Sequence, residues 1–148
     1  MNKKEQLSRA ISKLMPNIIQ GVHIGFLAKT KLTHTQFFVL VAIHSRGCPA
    51  MSTLSDNMQV SMPTMTGIIG RLVNAGYVKR VLLEKDRRQV LVELTSKGGQ
   101  IIKRFQNAAM ERWQEVLSVL NNQQIDIFQE IVAELNQSIQ QRKTDEQN

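Results

Sequence analysis

The sequence predicts a mainly α chain that carries one small β-hairpin, an α+β fold class. Apolar residues recur every three or four positions near both chain ends, which is typical of amphipathic helices. Two short helical segments joined by a tight turn are predicted around residue 60. Two β-prone stretches then flank a highly charged run. Together these patterns predict a single chain, residues 1–148, whose centre is flanked by helical extensions.

The N-terminal third is predicted to form two helices. Apolar residues between positions 7 and 26 mark one helical stripe, and Pro16 inside it is expected to kink or restart the helix. Thr33 and Gln36 form a capping box for a second helix. Residues 37–44 are apolar on nearly every side, which predicts a helix that is buried on most faces.

The tight turn is expected to join helices at 53–58 and 62–74, each capped by a serine. Ser52 is the predicted N-cap of the first helix, and Ser61 that of the second. A left-handed conformation at Gln59 in the turn would cost about 1 kcal/mol relative to glycine, which is tolerable.

The β-hairpin is predicted from residues 77–83 and 89–94, with a long exposed tip because the connection lacks a tight-turn pair. Gly76 before it is suited to ending the preceding helix. After it, Thr95 is expected to cap a helix over residues 96–119. Residues 121–124 form a weaker capping box for a last helix.

Two short helices followed by a hairpin form a winged helix-turn-helix. The second helix fits the major groove of DNA, and the hairpin reaches the backbone or minor groove. The free N–H groups at the start of that helix would also suit a phosphate. Asp86 is expected to hold one guanidinium in position, and the hairpin also carries Lys79 and Arg80. The candidate DNA-binding residues are Ser61, Met62, Pro63, Thr64, Thr66, Gly67, Arg71, Lys85, Arg87 and Arg88.

The charge balance favours a polyanionic partner. The chain has 19 Lys and Arg against 12 Asp and Glu, a formal charge of +7. Nucleic acid and an anionic membrane surface are both compatible with this charge alone. No signal peptide or membrane span is visible, so we expect a cytoplasmic protein with no membrane partner. No catalytic motif, cofactor motif or metal-ligand spacing occurs, so we expect neither an enzyme nor a metalloprotein.

Five motifs between residues 32 and 98 occur in the order found in a known family. Together with the flanking helices, the resemblance covers roughly residues 7–140. The motifs are residues 32–37 (LTHTQF), 60–73 (VSMPTMTGIIGRLV), 76–78 (GYV), 86–88 (DRR) and 94–98 (LTSKG). The chain thereby resembles the MarR (multiple antibiotic resistance regulator) family. The resemblance implies a homodimer that binds palindromic duplex DNA, usually as a repressor, and that is released by a small lipophilic or phenolic ligand or by cysteine oxidation.

This chain departs from many family members at two places. Ser55 and Gln59 replace the more common alanine and glycine. The second helix has Met62, Pro63, Gly67 and Gly70 where charged or amide side chains are frequent. Direct base recognition is therefore expected to be sparse, with specificity depending on the hairpin and on DNA shape.

The resemblance divides the chain into dimerisation helices at 5–30 and 96–142 and a DNA-binding lobe at 31–95. The apolar stripes of the end helices could instead pack on their own domain. A twofold dimer would place two recognition helices about 34 Å apart. An effector pocket would lie between the helices and the lobe, where the candidate residues are His23, Phe26, Phe37, Phe38, Val41 and His44.

Two further alternatives stay open. Cys48 is a candidate redox switch because it lies in a turn and Arg46 is expected to lower its thiol pKa; the more common alternative is an inert small residue. The whole chain could also be a winged-helix protein-interaction module without DNA binding, since the second helix is weakly polar.

Overall fold

The computed structural model describes residues 2–82 and 89–145. The chain divides into two compact units, residues 1–110 and 111–148. The predicted α+β fold class is confirmed, with six helices and an antiparallel two-stranded sheet among the described residues. The elements are α1 (Lys3–Ala28), α2 (His34–Arg46), α3 (Met51–Met58), α4 (Met62–Asn74), β1 (Val78–Leu82), β2 (Val90–Leu94), α5 (Ser96–Leu117) and α6 (Asn122–Asp145).

Helix α1 continues through Pro16, so the expected restart is wrong. Proline removes one backbone hydrogen bond, but its fixed φ is close to that of an α-helix. Downstream of it, Ile18, Val22 and Phe26 are buried on one face of the helix. This packing holds the second half of α1 in line despite the missing bond.

Helix α2 begins where the capping box predicts. The N–H of Gln36 donates to Thr33 Oγ1 at 3.2 Å, and the N–H of Thr33 donates to Gln36 Oε1 at 3.0 Å. The helix ends at Gly47, whose φ of 81° is a conformation that glycine adopts without steric cost. The predicted boundary is thus confirmed at both ends to within a few residues.

Helix α3 begins before Ser52, so the predicted serine cap is wrong. The N-cap is Ala50, which makes no side-chain capping bond. Ala50 instead pairs with Leu91 in a β-bridge, and the carbonyl of Pro49 accepts a hydrogen bond from the N–H of Val92 at 2.9 Å. This pairing with β2 keeps the chain extended up to the residue where the helix starts.

The turn between α3 and α4 uses a left-handed residue, as predicted. Gln59 has φ 52° and ψ 42°, and it is the only non-glycine residue with positive φ in the described part of the chain. The N–H of Val60 donates to the carbonyl of Ser55 at 3.0 Å. Ser61 then caps α4 by accepting from the N–H of Thr64 at 3.3 Å.

The hairpin pairs β1 with β2 from Val78 opposite Leu94 to Leu82 opposite Val90. Val78 and Val92 point into the core and are buried. On the other face, Lys79 Nζ lies 2.6 Å from Glu93 Oε1. The hairpin tip, residues 83–88, falls outside the described residues, and with it Lys85, Asp86, Arg87 and Arg88.

The core of the first unit is aliphatic with a few aromatic rings. It is built from the second half of α1, from α2, α3 and α4, from the hairpin and from the start of α5. The side chains with less than 2% exposure are Phe37, Val39, Leu40, Ile43, Leu54, Met65, Ile69, Leu72, Val78 and Val92. This arrangement leaves one face of α4 exposed.

The second unit contains α6, which is capped reciprocally at its start. The N–H of Gln124 donates to Asn121 Oδ1 and the N–H of Asn121 donates to Gln124 Oε1, both at 3.0 Å. The predicted capping box is therefore confirmed. Within the described part of the chain, no helix combines the length and apolarity needed to cross a bilayer.

Candidate nucleic-acid interface

Helix α4 has one buried face and one exposed face. Met65, Ile68, Ile69 and Leu72 are buried, and three of these four side chains are fully inaccessible. Their spacing of one, three and four residues places them on the same side of the helix. Their burial fixes the rotation of α4, so that the opposite residues point to solvent.

The exposed face contains every α4 residue that the sequence selects for DNA. The N-cap and the outward positions of the helix form one continuous surface. Its members are Ser61, Met62, Pro63, Thr64, Thr66, Gly67 and Arg71, all of which are exposed. The four predicted residues of the hairpin tip lie outside the described residues and stay predictions.

The first turn of α4 offers fewer free donors than its sequence suggests. Pro63 has no N–H, and the N–H of Thr64 is bound to Ser61 Oγ. Ser61 Oγ and Thr64 Oγ1 share a 2.8 Å hydrogen bond, and Thr66 Oγ1 donates to the carbonyl of Met62 at 2.9 Å. The first turn of α4 therefore leaves fewer unbonded N–H groups for an anion than a helix start without Pro63 and the Ser61 cap would.

A groove of about 320 Å³ lies between α4, the start of α3 and the hairpin. Three of its residues, Arg80, Gln89 and Val90, belong to the predicted hairpin, and none of them is among the candidate site residues. The missing information is which face of β1 packs beside α4, because sequence alternation does not specify it. The lining residues are Ala50, Met51, Ser52, Met62, Thr66, Arg80, Gln89 and Val90.

Four of the six candidate effector residues, His23, Phe26, Phe37 and Phe38, lie in an aromatic cluster around His23. Its imidazole centroid lies 5.6 Å from Phe37, 5.4 Å from Phe38 and 5.2 Å from Phe105. Phe26 joins the cluster 5.7 Å from Phe37. Phe105, on α5, is a member that the sequence-based selection missed. The only sequence feature that points to Phe105 is its position among the regularly spaced apolar residues of α5.

Two of the selected effector residues lie apart from these ring contacts. Val41 is half-buried against the core, and His44 is exposed near the end of α2. Phe26 and Phe37 are buried, whereas Phe38 is 44% exposed. The cluster is therefore mostly packed core, with Phe38 and His23 at its accessible edge.

The ring cluster disfavours a charged imidazole. Burial lowers the pKa of His23 below its ordinary value, and the nearby positive form of His34 lowers it further. The ring centroids of the two histidines are 6.3 Å apart. His23 is therefore a mainly neutral, apolar-facing ring at neutral pH.

The environment of Cys48 is the reverse of that expected. Its pKa is raised, first by burial and then by the charge of Glu93, while Lys79 lowers it less. Arg46, which was expected to lower it, is hydrogen-bonded through Nη2 to Asn57 Oδ1 at 3.3 Å. The expected low pKa is wrong, and the thiol is held in its less reactive protonated form.

Helix α4, which is buried on one face, and the first strand of the hairpin both lie in a segment that matches a known family profile. The MarR family profile matches residues 32–90, the segment from the start of α2 to the start of β2. Over this segment the chain is similar to the MarR family. Proteins of that family therefore provide the natural comparison for its fold.

Two relatives in sequence are transcription regulators or resistance proteins. The transcriptional regulator PecS of Dickeya dadantii is 29% identical over 100 residues, which are 66% of this chain and 60% of PecS. The multiple antibiotic resistance protein MarR of Salmonella typhimurium is 34% identical over 77 residues, 52% of this chain and 54% of that protein. The chain thus spans little more than half the length of these relatives.

Among solved structures, the fold is similar to an oligodeoxyribonucleotide-bound F27L mutant of MepR from S. aureus. The TM-score is 0.67 at 18% identity, and the alignment covers 94% of this chain and 99% of MepR. The likeness in fold therefore extends beyond the segment matched by the family profile.

Proposed function

We propose that this chain is a MarR-family transcription regulator that binds duplex DNA through α4 and the hairpin. The observation that carries the proposal is the division of α4 into a fully packed inner face and an outer face that its own protein leaves open. A helix presented in this way matches the width of the major groove. The proposal involves no catalytic step.

Two further facts support DNA as the partner. The chain has a formal charge of +7, which favours association with phosphates. The structurally similar MepR mutant is described as bound to an oligodeoxyribonucleotide. A protein-interaction module without DNA binding would need neither the charge nor an open, hydroxyl-bearing helix face.

We further propose that the chain acts as a homodimer on palindromic sites. Apolar side chains are exposed on the first half of α1, where Leu7 is 61% exposed, and along α6. Contiguous apolar surface of this kind is uncommon on a monomer. The exposed residues are Leu7, Ile11 and Leu14 on α1 and Ile127, Phe128, Ile131, Val132, Leu135 and Ile139 on α6. Residues 5–30 and 96–142 would then form the dimer, and residues 31–95 the DNA-binding lobe.

The dimer is tested by placing a charge on α6. Leu135→Glu should yield monomers in sedimentation equilibrium, because a buried unpaired carboxylate strongly disfavours association. Gln137→Glu adds the same charge at an exposed polar position and should leave the dimer intact. A Leu135→Glu chain that sediments as the wild type does would remove α6 from the interface.

DNA binding is tested with fluorescence anisotropy on a random duplex at several salt concentrations. A DNA-binding protein should weaken steeply as salt rises, because each phosphate contact releases a counterion. Selection of bound sites from a random pool should then return two half-sites about one helical turn apart. Absence of binding at low salt would favour the protein-interaction module instead.

We propose repression as the outcome of binding, since a dimer that covers promoter DNA excludes polymerase. The test is transcription in vitro from a promoter that carries the selected site. Transcript levels should fall as protein is added. A rise would identify an activator.

We also propose a small lipophilic or phenolic effector at the accessible edge of the ring cluster. The edge combines the exposed ring of Phe38 with the half-buried imidazole of His23, 5.4 Å apart. 4-Hydroxybenzoate is a suitable first probe, because it combines an aromatic ring with a phenol. Release of DNA by the probe in the wild type, but not in Phe38→Ala, would support the site. Equal release from both proteins would place the site elsewhere.

A further inference from the structure

The groove beside α4 has a wall made by one row of the helix. Met62, Thr66 and Gly70 follow one another at intervals of four residues, so they lie along the same side of α4. Met62 and Thr66 line the groove together with Arg80 of β1. The row ends at Gly70, which has no side chain, so a neighbouring group can lie against the helix at this position.

Arg80 occupies the space next to Gly70. Its Nη2 atom lies 3.8 Å from the position that a Cβ atom on Gly70 would take. Arg80 is exposed, although it lies opposite the buried Val92 on the core-facing side of the hairpin. Arginine can run its aliphatic stem along a protein surface and keep its charged end in solvent. The guanidinium is therefore held beside α4 rather than extended freely from the hairpin.

The adjacent cation, Lys79, is in a different situation. Side chains alternate across a strand, so Lys79 points to the opposite face of the hairpin. Its Nζ lies 2.6 Å from Glu93 Oε1, which compensates its charge. For Arg80, no carboxylate within ion-pair distance is found among the side chains of residues 2–82 and 89–142. Within these residues Arg80 is thus a cation without a carboxylate partner at the edge of α4, where the helix itself supplies only Arg71.

We propose that Arg80 binds a phosphate of the DNA backbone at the edge of the groove that α4 enters. This inference rests on the DNA-binding function proposed above and assigns to it a phosphate contact from the base of the hairpin. The planar guanidinium can donate two parallel hydrogen bonds to one phosphate. Gly67 and Gly70 carry no side chains, so the DNA backbone can approach α4 closely on this side. The contact is independent of base sequence.

The test compares Arg80→Gln with Lys79→Gln in the full-length chain, by anisotropy on a random duplex and on the selected site. Both variants lose one positive charge from neighbouring positions of β1. Arg80→Gln should weaken binding to both duplexes about tenfold or more, and should lower the slope of log K against log salt by about one per protomer. Lys79→Gln should stay within about twofold of the wild type, because its charge is already compensated and faces away.

Arg80→Lys provides a second measurement that does not depend on the stability of the glutamine variant. Lysine keeps the charge but cannot form the paired hydrogen bonds, so affinity should fall while the salt slope is preserved. Thermal unfolding of each variant shows whether it is folded at the assay temperature.

Each other outcome overturns the assignment. Unchanged affinity and slope in Arg80→Gln, or a loss equalled by Lys79→Gln, would exclude a specific phosphate contact. A loss confined to the selected site would indicate base recognition instead. Wild-type affinity in Arg80→Lys would reduce the role of Arg80 to simple charge. If the wild type itself fails to bind random duplex, the proposed function fails rather than the role of Arg80.

Discussion

The hydroxyl of Thr95 donates a hydrogen bond to the carbonyl oxygen of Gly76 at 2.6 Å. The hydroxyl oxygen of Thr95 itself accepts a hydrogen bond from the N–H of Gly98 at 3.2 Å, which caps the first turn of α5. The N–H of Thr95 donates to the carbonyl of Tyr77 at 3.0 Å. Thr95 therefore closes the hairpin and links Gly76, which follows the C-cap of α4, to the start of α5. The position of the proposed DNA-binding helix depends in part on this junction.

Thr95→Val should destabilise the chain by about 1 kcal/mol, because valine keeps the shape but loses both hydroxyl bonds. Thr95→Ser retains the hydroxyl and should restore most of that loss. Urea unfolding followed by circular dichroism measures the difference. Equal midpoints for the two variants would show that the hydroxyl bonds contribute nothing net.

Gly98 is predicted to be intolerant of any side chain. A Cβ atom there would overlap the carbonyl oxygen of Tyr77 and press against Leu94. Backbone atoms cannot give way as a flexible side chain can, so Gly98→Ala should cost about 1–3 kcal/mol. Gly99→Ala is the matched control, because a Cβ at Gly99 meets nothing within 4 Å. The control should gain about 0.5–1 kcal/mol from its higher helix propensity. A destabilised Gly99→Ala with a neutral Gly98→Ala would contradict this packing.

Gly67 should separate folding stability from DNA binding. A Cβ at Gly67 meets nothing within 4 Å in the chain itself, so alanine should raise the unfolding free energy by about 0.5–1 kcal/mol. The same methyl group would stand on the exposed face of α4 and should weaken DNA binding if the helix lies close to the groove floor. Gly25→Ala in α1, also without neighbours within 4 Å, should stabilise the chain without affecting affinity. Stronger DNA binding by Gly67→Ala would refute the close approach.

The sequence predicts those features that depend on residues a few positions apart. The capping boxes at Thr33 and Asn121 and the left-handed turn at Gln59 are local, and the structure has all three. The start of α3 was misplaced because it depends on the pairing of Ala50 with Leu91, which are distant in sequence.

The same distinction applies to the candidate site. The periodicity of α4 identifies its exposed face, because burial follows the helical repeat. The position of Arg80 beside Gly70 and of Phe105 beside His23 depends on how separate elements pack. The chemistry of Cys48 also depends on tertiary packing, because its pKa is raised first by burial and then by Glu93, which lies 45 positions further along the chain.

His23 is expected to make the stability of the chain depend on pH. Its pKa in the folded chain lies below the ordinary histidine value of about 6.5, chiefly because burial penalises the charged ring. The unfolded chain therefore takes up a proton at a higher pH than the folded chain does. As pH falls below about 6.5, this difference lowers the free energy of unfolding, until the folded pKa is reached and the loss stops.

Urea unfolding of the wild type and of His23→Phe between pH 7.5 and pH 5 tests this linkage. Phenylalanine keeps a ring in the cluster with Phe37 and Phe105 but removes the titrating group. The wild type should lose more stability than the variant as the solution is acidified, so the gap between them should change in favour of His23→Phe. His44→Gln, at an exposed position of α2, should follow the wild-type profile. If His23→Phe shows the same pH dependence as the wild type, the acid sensitivity comes from other groups and the ring cluster does not disfavour the imidazolium.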